Sequence, residues 1–559
     1  MQATTDDENA PREHVLSPQE DDEPMEDLVL SPMSHGSEDH DDDVEHSASR
    51  LIPLAMTDAS SSSSSRPLPS LNAPFTYRDV HFVGIYIFHV LLMLLATSYI
   101  RADVPDEEQD RVNGVVKTDT DEQLDLVDET VQEMNASAIA IQLRSLCVVN
   151  VLFSFGWLLI YLFNSKTRFI QGSCAFSIIG LSIFAFVLFA VENNGAALFV
   201  ALLATATAVF DIVWIKRTKN GFDFVAVLFE LIVDFLVKHP SLAYVTIGTL
   251  VAYTLWACWI CTSLGFVGNG ASPWQFSMLF LYLHFYWTSN IFKNILTFVV
   301  SGATIIWYYK DDSSDLSPQT LSDHPDSPSD EVESEYAHES ASIYPWKRTM
   351  ERKVVLHYVR GALTSSFGSI CIGSLLCPLA HVFWNVVRWA RRDESVLSRR
   401  FVSLRSETVE HFIRTYHKYS FVHVAGYGKP FYVAANDSWK FIESQGVEAI
   451  VDDDLTSRLL LLGANGWASI MSALCVPAFS NTHHVVFFTM ASFVLCYTTI
   501  SIAMQVMAAV IKTLFVCFAE NPNRLSQLHP LIYHRFARLA ELKSFRDHKA
   551  PPSFGRHAF

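Results

Sequence analysis

Signatures of catalysis are missing from this 559-residue sequence. It has no hydrolase triad, Walker phosphate loop, zinc-ligand spacing or dinucleotide-binding glycine pattern. We therefore expect neither an enzyme nor an ATP-driven pump, and we expect no metal, no cofactor and no nucleic-acid partner.

Cysteines are absent from the polar stretches. All nine lie within or at the edges of apolar segments, which argues against a disulfide framework. Cys258 and Cys261 form a C-x-x-C pair inside an apolar run, and we interpret them as packing residues. The first apolar run begins near residue 80, so we expect no N-terminal signal peptide and a first span that acts as its own insertion signal.

Apolar residues are the most prominent feature of the sequence. They make up 50% of the chain, which contains 40 phenylalanines, and the mean hydropathy is +0.21. The net charge of −19 is concentrated in residues 6–48, 104–133 and 311–340, outside the apolar runs. This pattern is typical of a membrane protein whose charge lies in its tails and loops.

The apolar runs predict an all-α, polytopic membrane protein with about ten transmembrane helices, one or more of them broken or re-entrant. The predicted spans cover about 81–100, 145–163, 169–191, 195–215, 242–264, 274–309, 362–388, 411–436 (in part), 457–478 and 484–516. They divide into a first membrane half, 76–310, and a second, 351–520. Within the first half, residues 221–238 carry Asp223, Glu230 and Asp234 near one helical face, which predicts an interfacial helix.

The polar segments predict the remaining organisation. We expect a disordered acidic cytosolic tail (1–75), an external loop (101–144), a disordered acidic cytosolic loop (311–350) and a cytosolic C-terminal tail (521–559). The arginines of 388–405 conflict with simple alternation of the spans. Either a neighbouring segment does not cross fully, or this loop departs from the positive-inside bias.

Modification motifs occur in these polar segments. Asn135 begins an N-glycosylation tripeptide if its loop is external. Four serines precede prolines and are candidate phosphorylation sites: Ser17, Ser31, Ser317 and Ser327. For Ser17 and Ser31, a solvated tail with chance Ser-Pro pairs is an equally good interpretation.

The segment "HVAGYGKPFYVAANDSWKF", residues 423–441, is too polar for an ordinary span. Its Gly-Tyr-Gly differs from a potassium filter, because no threonine-valine precedes it and Lys429 follows. Gly426 and Gly428 relax the backbone, and Pro430 removes one amide donor. A broken helix at membrane depth and an interfacial loop are equally good interpretations.

Aromatic and amide side chains supply the candidate substrate-binding residues. Tryptophan and tyrosine faces hold quaternary ammonium groups. The candidates are Trp256, Trp259, Tyr286, Trp287, Asn290, Asn294 and Tyr427. Packing or lipid contact is the alternative for each aromatic residue, and Trp307, Tyr308 and Tyr309 fit an interfacial aromatic belt. Asp211 and Lys293 are charged residues inside spans. Such residues indicate a function by default, and the alternatives for these two are a position near an interface or pairing with another residue.

Several motifs together resemble one family. These are "FYWTSNIFKNILTFVVSGATIIWYY", "ALTSSFGSICIGSLL", "YSFVHVAGYGKPFYVAANDSWKFIESQGVEAIVDDDL" and "CFAENPNRLSQLHPLIYHRF". In this order, over about residues 78–540, the chain resembles the choline transporter-like family (solute carrier family 44), in its short-loop, fungal- and plant-type branch. It departs from that family in the polar stretch "LSRRFVSLRSETVEHFIRTYHKY", at Pro430 and in the acidic insertion 311–345.

The resemblance implies about ten spans, cytosolic termini and a plasma-membrane or organellar location. It also implies transport of choline or a related organic cation, facilitative or ion-coupled, by alternating access. The competing hypothesis is a membrane scaffold or signalling adaptor that does not transport. Its acidic Ser/Pro-rich segments would bind cytosolic kinases or adaptors after phosphorylation.

Overall fold

The structure, a computed structural model, describes most of the chain beyond residue 75. The described ranges are 76–102, 121–191, 195–267, 274–309, 345–392, 406–444, 454–479, 485–534 and 537–538. No strand occurs in these ranges, so the prediction of an all-α protein is confirmed. Ser17, Ser31, Ser317 and Ser327, together with the predicted disordered tail 1–75, lie outside them.

The described residues form helices of very different lengths. In chain order they are α1 (Val80–Ala102), α2 (Asp121–Phe163), α3 (Lys166–Val191), α4 (Gly195–Thr218), α5 (Phe222–Lys238), α6 (Pro240–Val267), α7 (Trp274–Tyr309), α8 (Pro345–Leu363), α9 (Phe367–Arg392), α10 (Ser406–Thr415), α11 (Ser420–Tyr427), α12 (Phe431–Ser444), α13 (Asp454–Phe479), α14 (Val485–Glu520) and α15 (Pro522–Leu528).

Seven helical segments in the described ranges are long and apolar enough to cross a bilayer, whose core needs about 20 residues. They are Ile139–Phe163, Lys166–Val191, Gly195–Thr218, Pro240–Thr262, Phe280–Tyr309, Thr456–Phe479 and Val485–Glu520. The bent pair α8–α9 makes an eighth if it counts as one span, and Val80–Leu95 is a shorter apolar helix. The polytopic architecture predicted from the apolar runs is therefore confirmed.

Residues 121–144 of the predicted external loop are helical and belong to α2, and the position of this segment outside the membrane stays a prediction. This stretch has no proline or glycine, and Leu124, Val127, Val131 and Met134 recur every three or four residues. Such spacing favours a helix even where acidic residues are frequent. Asn135, the glycosylation candidate, lies inside α2.

The predicted span at about 362–388 corresponds mostly to α9, which begins at Phe367 and is bent against α8. The chain breaks after Leu363, and the segments Arg352–Leu363 and Phe367–Phe383 meet at 70°. The amide of Ser366 donates to the carbonyl of Gly361 (2.9 Å) across this turn. The amide of Arg78 donates to the carbonyl of Ser365 (3.0 Å), so a distant segment occupies a backbone group that the break exposes.

Residues 406–444, where a partial span was predicted over 411–436, form three short helices, α10, α11 and α12. None of the three is among the segments long enough to cross alone. α11 packs against α7, and α12 packs against α10 and α14. This part of the chain therefore contributes broken helices to the bundle.

Helix α5 has one apolar and one acidic face. Its buried residues are Val225, Leu228, Phe229, Leu231, Ile232 and Phe235. Asp223, Glu230 and Asp234 are exposed. α5 packs its apolar face on α3 and α6, while the three carboxylates remain available to water.

Helix α14 is the most deeply buried of the seven candidate spans, and it packs against α13, α7, α2 and α6. Hydroxyl and amide side chains join it to α7: Thr513 donates to Ser301 (2.9 Å), and Gln505 donates to Thr297 (2.8 Å). Helices α3 and α13 approach closely, since a Cβ on Gly466 would lie 2.6 Å from the carbonyl oxygen of Phe176. Small residues permit such contacts between membrane helices.

Candidate functional site

A cavity of about 1440 Å³ lies between α3, α4, α13 and α14. One face of α4 lines it with Thr207, Phe210, Asp211 and Trp214, whose spacing of three and four residues places them on a single stripe. Polar side chains from the other helices, among them Asn465, also face it.

Asp211 is the carboxylate of this cavity, and only 2% of the residue is exposed. Arg458 Nη2 lies 2.9 Å from Asp211 Oδ1, and Ser177 Oγ donates to Oδ2 (3.1 Å). Asn465 Nδ2 donates in turn to Ser177 (3.0 Å). A buried charge needs such partners. The pairing of Asp211 with a cation, one of the alternatives that the sequence left open, is therefore present.

Arg458 is held by aromatic rings as well as by the carboxylate. Its guanidinium carbon lies 4.7 Å from the ring centroid of Phe210 and 4.4 Å from that of Trp214. We call Phe210, Asp211 and Trp214 the cation seat, because they surround the positive charge of Arg458. Two ring faces and a carboxylate form a strong environment for a weakly hydrated cation.

Three of the predicted substrate-binding residues come together elsewhere, around two histidines. The ring of His284 lies 5.7 Å from Trp256 and 6.5 Å from Trp259. The ring of His89 lies 5.2 Å from His284 and 5.3 Å from Trp287. The imidazoles fill the centre of this group, which we call the tryptophan–histidine cluster. Within the described residues both nitrogens of His284 lack a hydrogen-bond partner.

Three further predicted residues, all on α7, bond within the helix bundle. The Tyr286 hydroxyl donates to the carbonyl of Leu375 (3.0 Å), and Asn294 Nδ2 donates to Ser374 Oγ (2.9 Å). Asn290 Nδ2 donates to the carbonyl of Tyr286 in its own helix (2.9 Å). Two of these contacts join α7 to α9, and none of the three residues lines the large cavity.

Tyr427, the seventh predicted residue, contacts a carboxylate that sequence reasoning missed. Its hydroxyl donates to Glu520 Oε2 (2.6 Å), and that of Tyr309 donates to the same oxygen (3.0 Å). His423 Nε2 lies 3.4 Å from Glu520 Oε1. Glu520 could have been noticed as the single acid that closes a 36-residue apolar helix before Asn-Pro.

The predicted aromatic belt at the end of α7 needs correction. Tyr308 is fully buried, and its hydroxyl donates to the carbonyl of Asn521 (2.8 Å). Tyr309 contacts Glu520, and Trp307 packs edge-on against Phe235 at 5.0 Å. These rings bind α7 to other protein segments, because polar groups at the end of α14 satisfy the phenol hydroxyls.

The glycine-rich segment forms a break between two helices. α11 ends at Tyr427, and Gly428 has φ +61° with its amide donating to the carbonyl of Val424 (3.1 Å). This left-handed conformation suits glycine. Pro430 lacks an amide hydrogen, and α12 begins at the next residue. Gly426 lies inside α11, where a Cβ would lie 2.7 Å from Ile305 Cδ1.

Residues 76–79, which precede α1, connect the two helix breaks. Asp79 Oδ2 accepts hydrogen bonds from the amide of Phe431 (2.9 Å) and from Ser369 Oγ (2.5 Å). Asp79 has φ 52°, the only positive φ among the described non-glycine residues. Partial burial lowers the pKa of the Arg78 guanidinium, and the adjacent Asp79 carboxylate opposes that shift.

Within the described residues no group of three or more His, Cys, Asp or Glu side chains is arranged to hold a metal ion.

Fold and site together define a class: a multi-pass α-helical membrane protein with a charged cavity between its helices. A family model described as plasma-membrane choline transporter matches residues 198–523, more than half of the chain. The chain therefore belongs to the choline transporter-like family, as its motifs indicated.

Curated relatives place the chain near a fungal and Dictyostelium branch. It is 29% identical over 194 residues to protein PNS1 of Gibberella zeae, which covers 32% of this chain and 36% of that protein. It is 24% identical over 361 residues to a CTL-like protein of Dictyostelium discoideum (62% and 58%). It is 23% identical over 378 residues to protein pns1 of Aspergillus fumigatus (62% and 63%). These alignments span between about a third and just under two thirds of each relative.

Proposed function

We propose that this protein carries choline or a related small organic cation across a membrane, by facilitative or ion-coupled alternating access and without catalysis. Family membership supports a transporter, and the family description supports the substrate class. The plasma membrane is the proposed location, with an organellar membrane as the second choice.

The observation that carries the proposal is the placement of Arg458 in the cation seat. A guanidinium and a trimethylammonium group share a diffuse, weakly hydrated positive charge. Both are attracted by the faces of Phe210 and Trp214 and by the Asp211 carboxylate. Arg458 thus occupies the position that a substrate cation would take.

Substrate and Arg458 would then compete. A cation that enters the seat displaces the guanidinium from Asp211, and the returning guanidinium expels the cation. The breaks at 364–366 and 428–430 are the places where the bundle would bend, because the backbone there is not held by continuous helical hydrogen bonds.

The tryptophan–histidine cluster is a second proposed contact for the cation. Trp256, Trp259 and Trp287 provide three indole rings near one another. We propose the cation seat as the main binding site, because it combines two aromatic rings with a carboxylate and lines a large cavity. A diffusing cation needs both the charge and the space.

Uptake of labelled choline into proteoliposomes that contain the full chain tests this function. Asp211→Asn keeps the shape of the side chain but removes its charge. We expect the cation to lose about 2 kcal/mol of binding free energy, so KM should rise at least tenfold. Trp214→Ala should act in the same direction. Phe199→Ala, on the exposed face of the same helix, is the matched control and should leave KM unchanged.

Two results would overturn the proposal. One is an absence of saturable uptake of choline and related cations above empty liposomes. The other is an unchanged KM in Asp211→Asn when this variant elutes from size exclusion like the wild type.

Arg458→Gln tests the competition. Removing the tethered cation leaves Asp211 as a buried, unpaired carboxylate, which lowers the thermal stability of the protein. Choline should then restore stability, so its stabilising thermal shift should exceed that of the wild type. A shift equal to or smaller than that of the wild type would exclude competition for the seat.

A further inference from the structure

The polar side chains around Asp211 form a chain of hydrogen bonds that has a fixed direction. A carboxylate paired with an arginine only accepts hydrogen bonds, so the Ser177 hydroxyl uses its hydrogen on Asp211 Oδ2 (3.1 Å). Ser177 Oγ is then an acceptor for Asn465, and the amide nitrogen Nδ2 is the atom that donates to it (3.0 Å). These bonds fix the orientation of the Asn465 amide and leave its oxygen, Oδ1, at the end of the chain.

Asn465 is the member of this chain that a ligand can reach. Ser177 has no exposed surface, and only 2% of Asp211 is exposed. Asn465 is partly exposed and lines the large cavity. Among the described residues, Ser177 is the one hydrogen-bond partner of the Asn465 side chain, and none donates to its Oδ1. The cavity therefore offers a ligand a hydrogen-bond acceptor at this position.

This acceptor lies close to the cation seat. A single serine hydroxyl separates the Asn465 amide from the Asp211 carboxylate. Arg458 and Asn465 both belong to α13, about two turns apart, so they share one face of that helix. Both side chains line the cavity. In choline, a short ethylene arm joins the ammonium to the hydroxyl, so an ammonium beside Asp211 keeps the hydroxyl near this same network.

We propose that Asn465 determines specificity for a hydroxylated cation: its Oδ1 accepts the hydroxyl hydrogen of a substrate such as choline while the ammonium occupies the cation seat. This inference rests on the proposed function, because it uses the same seat. It narrows the substrate class from organic cations in general to those with a hydroxyl donor close to the ammonium. Ser177 is a positioning residue in this scheme, because its two hydrogen bonds hold the orientation of the amide.

The physical reason for selectivity is the direction of the chain. An amide oxygen rewards a ligand that donates a hydrogen and gains nothing from a methyl group. An ether oxygen at the same place would put two acceptors against each other. A site built in this way rejects analogues that lack the donor, because its own polar group is then left without a partner.

Competition against the uptake of labelled choline tests the inference, with the full chain in proteoliposomes. Ethyltrimethylammonium has the same cation but no hydroxyl, and choline methyl ether keeps the oxygen but has no hydroxyl hydrogen. In the wild type, each analogue should compete between about threefold and tenfold more weakly than unlabelled choline, the range expected for one net hydrogen bond. This comparison needs no variant, so its outcome does not depend on the folding of one.

Variants then assign the preference to Asn465. Asn465→Leu should abolish the difference between choline and ethyltrimethylammonium and leave the concentration at which the analogue competes unchanged. Asn465→Asp keeps an acceptor oxygen and should retain the preference for choline over both analogues.

Ser177→Ala tests the positioning role. Without Ser177 the amide can turn and offer an N–H to an ether oxygen, so the preference for choline over its methyl ether should weaken. Ser469→Ala is the matched control. The Ser469 hydroxyl is buried and donates to the main-chain carbonyl of Asn465 (2.8 Å), but Ser469 does not line the cavity. Its loss should leave both preferences as in the wild type.

Three outcomes would overturn the inference. Saturable choline uptake that both analogues inhibit as well as choline would leave the proposed function standing and remove hydroxyl recognition. A preference for choline that survives in Asn465→Leu but is lost in Gln505→Leu would assign the hydroxyl to another amide of the cavity, which donates to Thr297 (2.8 Å). An absence of saturable uptake of all these cations would remove both proposals.

Discussion

Asp79 offers a sharp test of how the helix breaks are held. Its carboxylate accepts the amide of Phe431, the first residue of α12, from a position 352 residues earlier in the chain. It also accepts the hydroxyl of Ser369, near the start of α9. Asp79→Ala removes both contacts at once and leaves the amide at the start of α12 without this cap.

The loss of folding stability expected for Asp79→Ala has two causes. Loss of a capping acceptor costs about 1 kcal/mol, with a range of roughly 0.5–2. Alanine at φ 52° adds about 1 kcal/mol, because aspartate and asparagine tolerate the left-handed region better. We therefore expect a loss of about 2 kcal/mol for alanine. Asp79→Asn should cost less than about 1 kcal/mol, since it keeps an acceptor oxygen and the tolerated backbone. Asp79→Gly should lie between them, because it relieves the backbone but removes the cap.

Thermal unfolding in detergent and amide hydrogen exchange in α12 measure these effects. The thermal unfolding midpoint should be highest for the wild type and then decrease in the order Asp79→Asn, Asp79→Gly and Asp79→Ala. Amide hydrogen exchange at the start of α12 should be faster in Asp79→Gly and Asp79→Ala. Asp223→Ala changes an exposed acid in the first turn of α5 and should cost less than about 1 kcal/mol, half or less of the loss expected for Asp79→Ala. If Asp79→Ala is as stable as Asp79→Asn, the carboxylate does not hold the two breaks.

Three other substitutions have clear expected outcomes. Gly428→Ala should lose about 1–2 kcal/mol of stability because of its φ of +61°, whereas Gly172→Ala, inside α3 and with open space, should gain up to about 1 kcal/mol; equal thermal midpoints of the two variants would contradict this. Gly466→Ala should cost about 1–3 kcal/mol at the close crossing of α3 and α13, and an unchanged midpoint would mean that these helices separate easily. Tyr427→Phe removes a donor to the Glu520 carboxylate and should cost about 1–3 kcal/mol without changing KM for choline. A raised KM at unchanged stability would instead place Tyr427 on the substrate path.

Local sequence patterns were sufficient for the architecture. Apolar runs of about 20 residues must form helices in a membrane, because each backbone group has to find its partner within the segment. The same reasoning identified Asp211 as exceptional, since a lone carboxylate in an apolar helix requires a partner. Glycine and proline at 426–430 indicated where regular helix could not continue, and Gly428 has the left-handed conformation that glycine permits.

Where local patterns misled, a distant contact explains the outcome. The break at 364–366 lies in a stretch with no proline, and the amide of Arg78 occupies one carbonyl there. Tyr308 and Tyr309 have the composition of an interfacial belt, yet the end of α14 supplies acceptors for their hydroxyls. A sequence pattern describes the neighbours of a residue along the chain, and these partners lie about 210–290 residues away.

The sequence by itself determined an all-α membrane protein, its family and the positions of most of its helices, because these depend on hydrophobicity and on short-range backbone geometry. The tertiary structure alone decided which groups meet. Asp211 and Arg458 are 247 residues apart, and only the packing of α4 beside α13 brings the carboxylate to the guanidinium. The cation seat exists because three-dimensional packing placed an arginine from one helix over two aromatic rings and an acid of another, and no spacing along the chain encodes that contact.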